Sequence, residues 1–392
     1  MRSYSTLILT LLFCLSFTCF NACGQWYEVQ GHANMEKNSL EVARTIATEN
    51  ALKKALLIAG ASVSSVQQVV NGLLTQDNIS IRASGSVNSI ELVDELHSDN
   101  TISVTIRADI FPQNKACYAL DLKKSILFTK AKLTQREHAN MGEIYGIDTA
   151  LIKKINRKIK DHSNYLHAKL LLKSTTAFSR LNQSLNNEKI KQLAISLASN
   201  SDSQYVLFTE INDLSLTEQR ANSWQIWQQA TYPRNFHFTL YLYNGLTGEL
   251  AWQQNYQSSS VWDFSKRRTV DVNSSVFWQS DYGLMVNELV ERAVTDIDKN
   301  IMCEQSKGKI LAVAGNQVVI NLGRYHGVKI GDEFSLLHLD NFIADNGKQY
   351  IRYNVSPYKV KVTMLTKQSA NAITIDNSLL GNIQQNDLAI RQ

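Results

Sequence analysis

SILFTKAKL at Ser125–Leu133, IDTALIKKINRKI at Ile147–Ile159, LHAKLLL at Leu166–Leu172 and QYVLFTEINDL at Gln204–Leu214 set the reading of the middle of the chain. The first, third and fourth read as strands. The second reads as a helix with Leu151, Ile152, Ile155 and Ile159 on one side. Another helix, capped by Asn186 or Asn187, runs through Leu197 before the third strand. This β-α-β-α-β order predicts a sheet with crossover helices. Phe236–Tyr243 and Glu249–Gln257 then read as a hairpin, with Asn244-Gly245 and Thr247-Gly248 in its turn. A last helix, about Tyr282 to Asn300, puts Val286, Leu289, Val290, Ala293, Val294 and Ile297 on its buried face.

A cysteine stands at each end of this stretch, Cys117 and Cys303. The other three, Cys14, Cys19 and Cys23, lie in an N-terminal segment with the marks of an export signal. Arg2 supplies its positive end, and Leu7–Phe20 is an apolar run too short to span a bilayer comfortably. Ala22-Cys23-Gly24 is a small-x-small cleavage pattern, so residues 1–24 are expected to leave and the mature chain to begin at Gln25. Lipidation of Cys23 is the rival, but Phe20 and Asn21 fit its requirements poorly. In an oxidising compartment Cys117 and Cys303 are then an even pair, expected to form a disulfide where the middle domain begins and ends. No His or carboxylate sits near either at metal-ligand spacing.

Outward from this domain the pattern changes twice. Residues 25–114 read as a small α+β domain with helices on one face of a largely antiparallel sheet. Its elements are a strand at Trp26–Met35, a helix from Ser39 to about Ile58, a second helix near Ser64–Leu74, and strands at Ile79–Val87, Ile90–Leu96 and Ile102–Phe111. Ala43, Ala47, Ala51 and Ala55 recur every fourth residue, a stripe small enough to let a helix lie close to a sheet. Residues 304–392 read as short strands and tight turns, a partly closed β-barrel of five or six strands. Residues 115–303 form the middle α/β domain, so the fold class is α+β and α/β, multidomain.

The 392 residues and 44% hydrophobic content suit two or three globular domains. A net charge of +5 is too mild for a nucleic-acid binder, and no basic run interleaves with aromatics. Lys153, Lys154, Arg157, Lys158 and Lys160 read as the wet face of a helix. No segment after the leader is long and apolar enough for a membrane helix. Phosphate-binding loops, the Gly-x-Ser-x-Gly elbow and His-Glu-x-x-His are missing, and the eight histidines are scattered, with His162 and His167 closest. No catalytic residue, metal or cofactor is implied. Five of the six tryptophans fall between residues 224 and 278. Trp224 and Trp227 lie where a loop is expected before the hairpin, and are the candidate partner-binding residues.

Several runs resemble a known family, flagellar assembly protein T. They are FWQSDYG at Phe277–Gly283, the helix leading to Met302-Cys303, VVINLG from Val318, GVKIGDEFSLLH from Gly327, and the opening Trp26-Tyr-Glu-Val followed by the alanine-striped helix. The resemblance covers essentially the whole mature chain. It implies a periplasmic component of the H ring, which surrounds the basal body of polar sheathed flagella beneath the outer membrane. It implies a middle domain similar to the N-terminal domain of TolB, and a role in assembling both the H ring and the T ring that holds the stator. The expected role is non-enzymatic, with ring proteins as direct partners and the stator as an indirect one. The alternative is a periplasmic TolB-like protein-interaction adaptor of the cell envelope.

Overall fold

The computed structural model describes residues 25–35, 39–59, 66, 70, 78–79, 87–98, 100–110, 122–172, 178, 187–217, 232–265, 268–343 and 349–391. The chain divides into two compact units. One comprises Met1–Lys115 with Asp340–Val355, the other Ala116–Leu339 with Ser356–Gln392.

In the first unit, β1 (Gln25–Asn34) pairs antiparallel along its whole length with β4 (Thr101–Ile110). β4 pairs with β3 (Val87–Ser98), and β3 with the short β2 (Asn78–Ile79). Ile102, Val104, Ile106, Ala108 and Ile110 of β4 are all buried, as their alternation predicts. Of the second helix, read near Ser64–Leu74, only Val66 and Val70 are described, both helical and buried; most of the strand expected at 79–87 lies outside the described residues.

Helix α1 (Leu40–Ala59) begins at Ser39, whose hydroxyl accepts from Val42 N at 3.4 Å. Its Ala43, Ala47, Ala51 and Ala55 are fully buried, as the stripe predicts. The close approach has a second requirement in the strand. A Cβ on Gly31 would stand 2.1 Å from the Ala47 carbonyl oxygen and 2.5 Å from Ala51 N. Both atoms belong to the helix backbone, so a side chain at 31 must lift the helix off the sheet.

In the second unit the six-stranded sheet runs β10-β9-β8-β5-β7, with β6 beside β8. The strands are β5 (Lys124–Thr129), β6 (Lys132–Leu133), β7 (Leu166–Leu171), β8 (Tyr205–Asp213), β9 (Pro233–Asn244) and β10 (Leu250–Val261). β5 is parallel to β7 and β8, whereas β9 and β10 form the antiparallel hairpin read from the sequence. Helices α2 (Ile147–His162) and α5 (Asp281–Ile301) bury Leu151, Ile155, Leu289 and Ile297 in one core with Ile126 and Phe128 of β5. On the opposite side, α3 (Asn187–Ser201) packs Ile190, Ala194 and Ala198 around Leu127, Val206 and Phe208. Every residue of β5 is buried because successive side chains enter two different cores.

FWQSDYG forms a sharp corner. It takes in the end of the short α4 (Ser275–Gln279) and then Ser280, whose hydroxyl accepts from Gly283 N at 3.1 Å to cap α5. A Cβ on Gly283 would meet the Phe277 carbonyl oxygen at 1.9 Å. Phe277 and Tyr282, flanking the corner, are both fully buried.

The C-terminal region is a closed six-stranded barrel, the upper end of the expected strand number. Its strands are β11 (Lys307–Ala314), β12 (Gln317–Ile320), β13 (Glu333–Ile343), β14 (Gln349–Leu365), β15 (Ala370–Thr374) and β16 (Leu388–Arg391). Ile310, Ile320, Phe334, Leu336, Val360, Val362 and Ala372 fill it. β13 and β14 are longer than the sequence suggests, and the boundary between the two units falls inside both.

Gly31→Ala is expected to lower stability by about 3 kcal/mol, the upper range for overpacking a core. Chemical unfolding followed by circular dichroism measures this, and a midpoint unchanged from wild type would contradict the close helix–sheet approach.

Candidate interaction surfaces

Cys303 follows α5 and is disulfide-bonded. Cys117, Trp224 and Trp227 lie outside the described residues, so the structure does not place these predicted site residues against anything. The other middle-domain tryptophans are packing residues. Trp262 is 4% exposed and meets Phe264 and Tyr282 edge-on, with ring centroids 5.0 and 5.3 Å away. Trp252 and Trp278 are half-buried against the same core.

Beside Trp262 lies a residue that the sequence reading passed over. Arg234, near the start of β9, is fully buried. Its Nε donates to the Leu214 carbonyl at 3.1 Å, Nη1 to Met141 at 3.0 Å and Nη2 to His138 at 2.7 Å. Its guanidinium lies 4.3 Å from the centre of the Trp262 ring and 5.7 Å from that of Tyr282. Burial pulls its pKa down, opposed by Tyr282. Three carbonyls and two aromatic faces thus surround this planar cation. The result is a knot tying residues 138–141 to the ends of β8 and β9. It is sealed from solvent and offers nothing to a ligand.

The basic face of α2 is wet, as read. Lys153, Arg157 and Lys160 are exposed. Lys154 lies 4.7 Å over the Trp278 ring, and Lys158 pairs with Glu291 of α5 at 2.6 Å. Burial and then the neighbouring Lys158 and Arg157 lower the Lys154 pKa.

The two closest histidines in the sequence have different fates. His162 ends α2, while His167 on β7 stacks on Tyr325 at 5.4 Å and meets His326 edge-on at 5.3 Å. His326 is 2% exposed. Its Nδ1 accepts from Gly323 N at 3.1 Å, which puts the proton of the neutral ring on Nε2. Among the described residues Nε2 has no hydrogen-bond partner. Burial, then His167 and Lys169, push the His326 pKa down to about 4. The His167 pKa is lowered too, by burial and then by Lys169, Lys123 and Lys160. Among the described residues no cluster of three or more His, Cys, Asp and Glu could hold a metal ion.

Apolar side chains remain in water on both units. Val42 and Leu57 of α1 are exposed in the first, and Ile330, Met364 and Leu379 of the barrel in the second. Among the described residues no helix is long and apolar enough to cross a membrane.

Three family models match the chain in succession. They are flagellar assembly protein T, N-terminal domain, over residues 25–112; its middle domain over 115–272; and its C-terminal domain over 315–391. A search of curated proteins found no match. Among solved structures, a hypothetical protein from Chlamydia trachomatis is similar at 12% identity and a TM-score of 0.32, covering 46% of this chain and 99% of its own. A PelC dodecamer from Paraburkholderia phytofirmans shares 7% identity at a TM-score of 0.26, with 44% of this chain and 87% of its own covered. A lipoprotein from Neisseria meningitidis shares 10% identity at a TM-score of 0.23, with 45% and 99% covered.

The buried His326 makes stability depend on pH with a definite sign. Its folded pKa, about 4, lies below the ordinary histidine value of 6.5. Between these values the unfolded chain takes a proton that the folded chain refuses, so stability falls as pH drops through that window. The loss at its lower end is about 3 kcal/mol. His326→Gln keeps an acceptor for Gly323 N without the titration. Its urea midpoint should therefore fall less than that of wild type between pH 7 and pH 4, and parallel curves would refute the assignment.

Proposed function

The chain belongs to the family of flagellar assembly protein T, and from that premise we propose that it is a non-enzymatic scaffold of the basal body's H ring in the periplasm. The match of all three family domains, in order along the chain, carries the reading. A flagellar assembly protein of this kind acts by holding its neighbours in place, so what matters is rigid modules and exposed surface. Both are present: separate packed cores, and apolar and basic side chains left in water. In this reading residues 1–24 direct export, and residues 25–114, 115–303 and 304–392 are the N-terminal, TolB-like middle and C-terminal domains. The partners are H-ring and T-ring proteins, with the stator reached through the T ring.

Trp224 and Trp227 are the proposed contact to the T ring, because large aromatics inside a polar rim dominate binding energy. Basal bodies purified from cells lacking the gene should show no H ring by electron microscopy. Those from cells carrying Trp224→Ala with Trp227→Ala should keep the H ring and lose T-ring proteins, at an unchanged melting temperature. An intact H ring without the gene would overturn the reading. A collapsed melting curve in the double variant would assign the tryptophans to the core, where truncation costs roughly 3–5 kcal/mol.

The disulfide of Cys303 is proposed to be with Cys117. The ends of a compact domain commonly lie close together, and the remaining cysteines are all in the expected leader. Peptide mapping of the non-reduced mature protein should yield one linked pair spanning these residues; free thiols at both positions would exclude it.

A further inference from the structure

Helix α2 carries Lys153, Lys154, Arg157, Lys158 and Lys160 within two turns or so. Lys153 with Arg157, and Lys154 with Lys158, are like charges four residues apart, an arrangement that opposes helix formation. The cost is not recovered inside the molecule. Lys158 has a carboxylate partner in Glu291 of α5, but among the described residues Lys153, Arg157 and Lys160 form no ion pair or hydrogen bond. Elsewhere in the same unit lysines are engaged. Lys130 pairs with Asp148 at 3.0 Å, and Lys169 donates to the carbonyls of Ser201 and Asp202 at 2.6 and 2.9 Å. The helix macrodipole favours Lys160 in the last turn, but does nothing for Lys153, Lys154 or Arg157. Besides Glu291, the exposed carboxylates of α2 and α5 are Asp161, Asp281 and Glu288, and the exposed Arg292 and Lys299 of α5 offset two of them. The face therefore stays positive.

Apolar side chains stand beside these cations. Lys154 lies over the ring of Trp278 in α4, and Val276 on that short helix is 54% exposed. Leu284, in the first turn of α5, is 50% exposed. Its neighbour Gly283 is pressed against Trp278, where a Cβ would stand 2.8 Å from the tryptophan Cα. The hydroxyls of Ser274 and Ser280 accept from Phe277 N at 3.2 Å and Gly283 N at 3.1 Å, so the corner that presents Val276 and Leu284 is held in place. A few apolar anchors inside a polar rim is the anatomy of a protein interface, and basic clusters recognise acidic segments.

Cations by themselves would suit any polyanion. The exposed aliphatic side chains beside them suit a protein, since a phosphate or sugar polymer has nothing to bury against Val276 and Leu284. A second copy of this chain is a poor match, because its own net charge is +5. We propose that the α2 face and the FWQSDYG corner form a docking surface for a partner protein, which meets it with an acidic segment carrying apolar side chains. The inference rests on the scaffold reading above for the place of meeting, the basal body, and adds to it the chemistry of one partner.

The test places a photo-cross-linking amino acid at Arg157, at Val276 and, as a control, at the exposed Ser196 of α3 on the opposite side of the sheet, in the full-length protein made in its own cells. Arg157 and Val276 should each give an adduct to a protein segment of net negative charge, and Ser196 should not give that adduct. Lys153→Gln with Arg157→Gln should cut the Val276 adduct about tenfold, while the melting temperature stays level or rises because a repelling pair is gone. In isolated basal bodies the adduct yield should fall as salt rises from about 0.1 M to about 1 M, over which the screening length shrinks from about 10 Å to about 3 Å. Should the double variant lose stability, the salt series on the otherwise unaltered chain decides. A face that is merely solvated gives no adduct, or one that neither the substitutions nor salt change, and either result overturns the proposal. So does an adduct to lipid, to glycan, to a second copy, or to a segment without net negative charge. Immunodetection of the chain in basal bodies is read separately. Its absence there with the adduct intact in cells removes the scaffold reading alone, and its presence without the adduct removes this one alone.

Discussion

The hydroxyl of Ser306 donates to the carbonyl of Leu122 at 2.6 Å, and Ser306 is fully buried. This bond joins the point where the chain enters the middle sheet to the point where it leaves. Around it, Lys123 N donates to the His326 carbonyl at 2.8 Å, and Gln204 Nε2 to the Lys307 carbonyl at 2.9 Å. Leu122 itself is part of the barrel's hydrophobic core. Middle sheet and barrel are therefore one compact unit, because the segments that join them are themselves buried and hydrogen-bonded. The disulfide of Cys303 sits three residues before Ser306 in this same stretch.

Much of this was legible where side-chain size or alternation decides packing. The alanine stripe of α1 announced a close helix, because four small residues on one face leave no other use for it. β4 showed one buried face through strict alternation. Arg234 was not legible. An arginine between Pro233 and Asn235 looks like a loop charge, and buried cations are too rare to expect. Its partners are main-chain carbonyls, which leave no trace in a sequence. The full length of β14 was missed for a different reason. Pro357 lies within β14, and proline argues against a strand unless it sits at an edge. Asn346-Gly347, a dipeptide that favours hairpin turns, was the available signal in the sequence.

The buried polar groups of the second unit divide into two kinds. Arg234 has its donors aimed at carbonyls and its faces covered by rings, so its charge is well solvated by the protein. His326 is neutral and keeps one ring nitrogen without a hydrogen bond among the described residues. The first arrangement adds rigidity, since a planar donor fork fits one geometry only. The second is tolerated because the ring fills space beside His167 and Tyr325.

Family boundaries and compact units divide this chain differently, and both divisions are physical. A family model follows contiguous sequence, so it assigns Asp340–Val355 to the C-terminal domain. Compactness follows burial, and Tyr353 is buried against Tyr27 of the first unit. The first sheet is thus specified by two distant pieces of sequence. A chain cut at residue 112, where the first family model ends, lacks the strand that β1 uses. An uncovered strand edge with an uncovered tyrosine is a template for pairing with whatever extended segment is near.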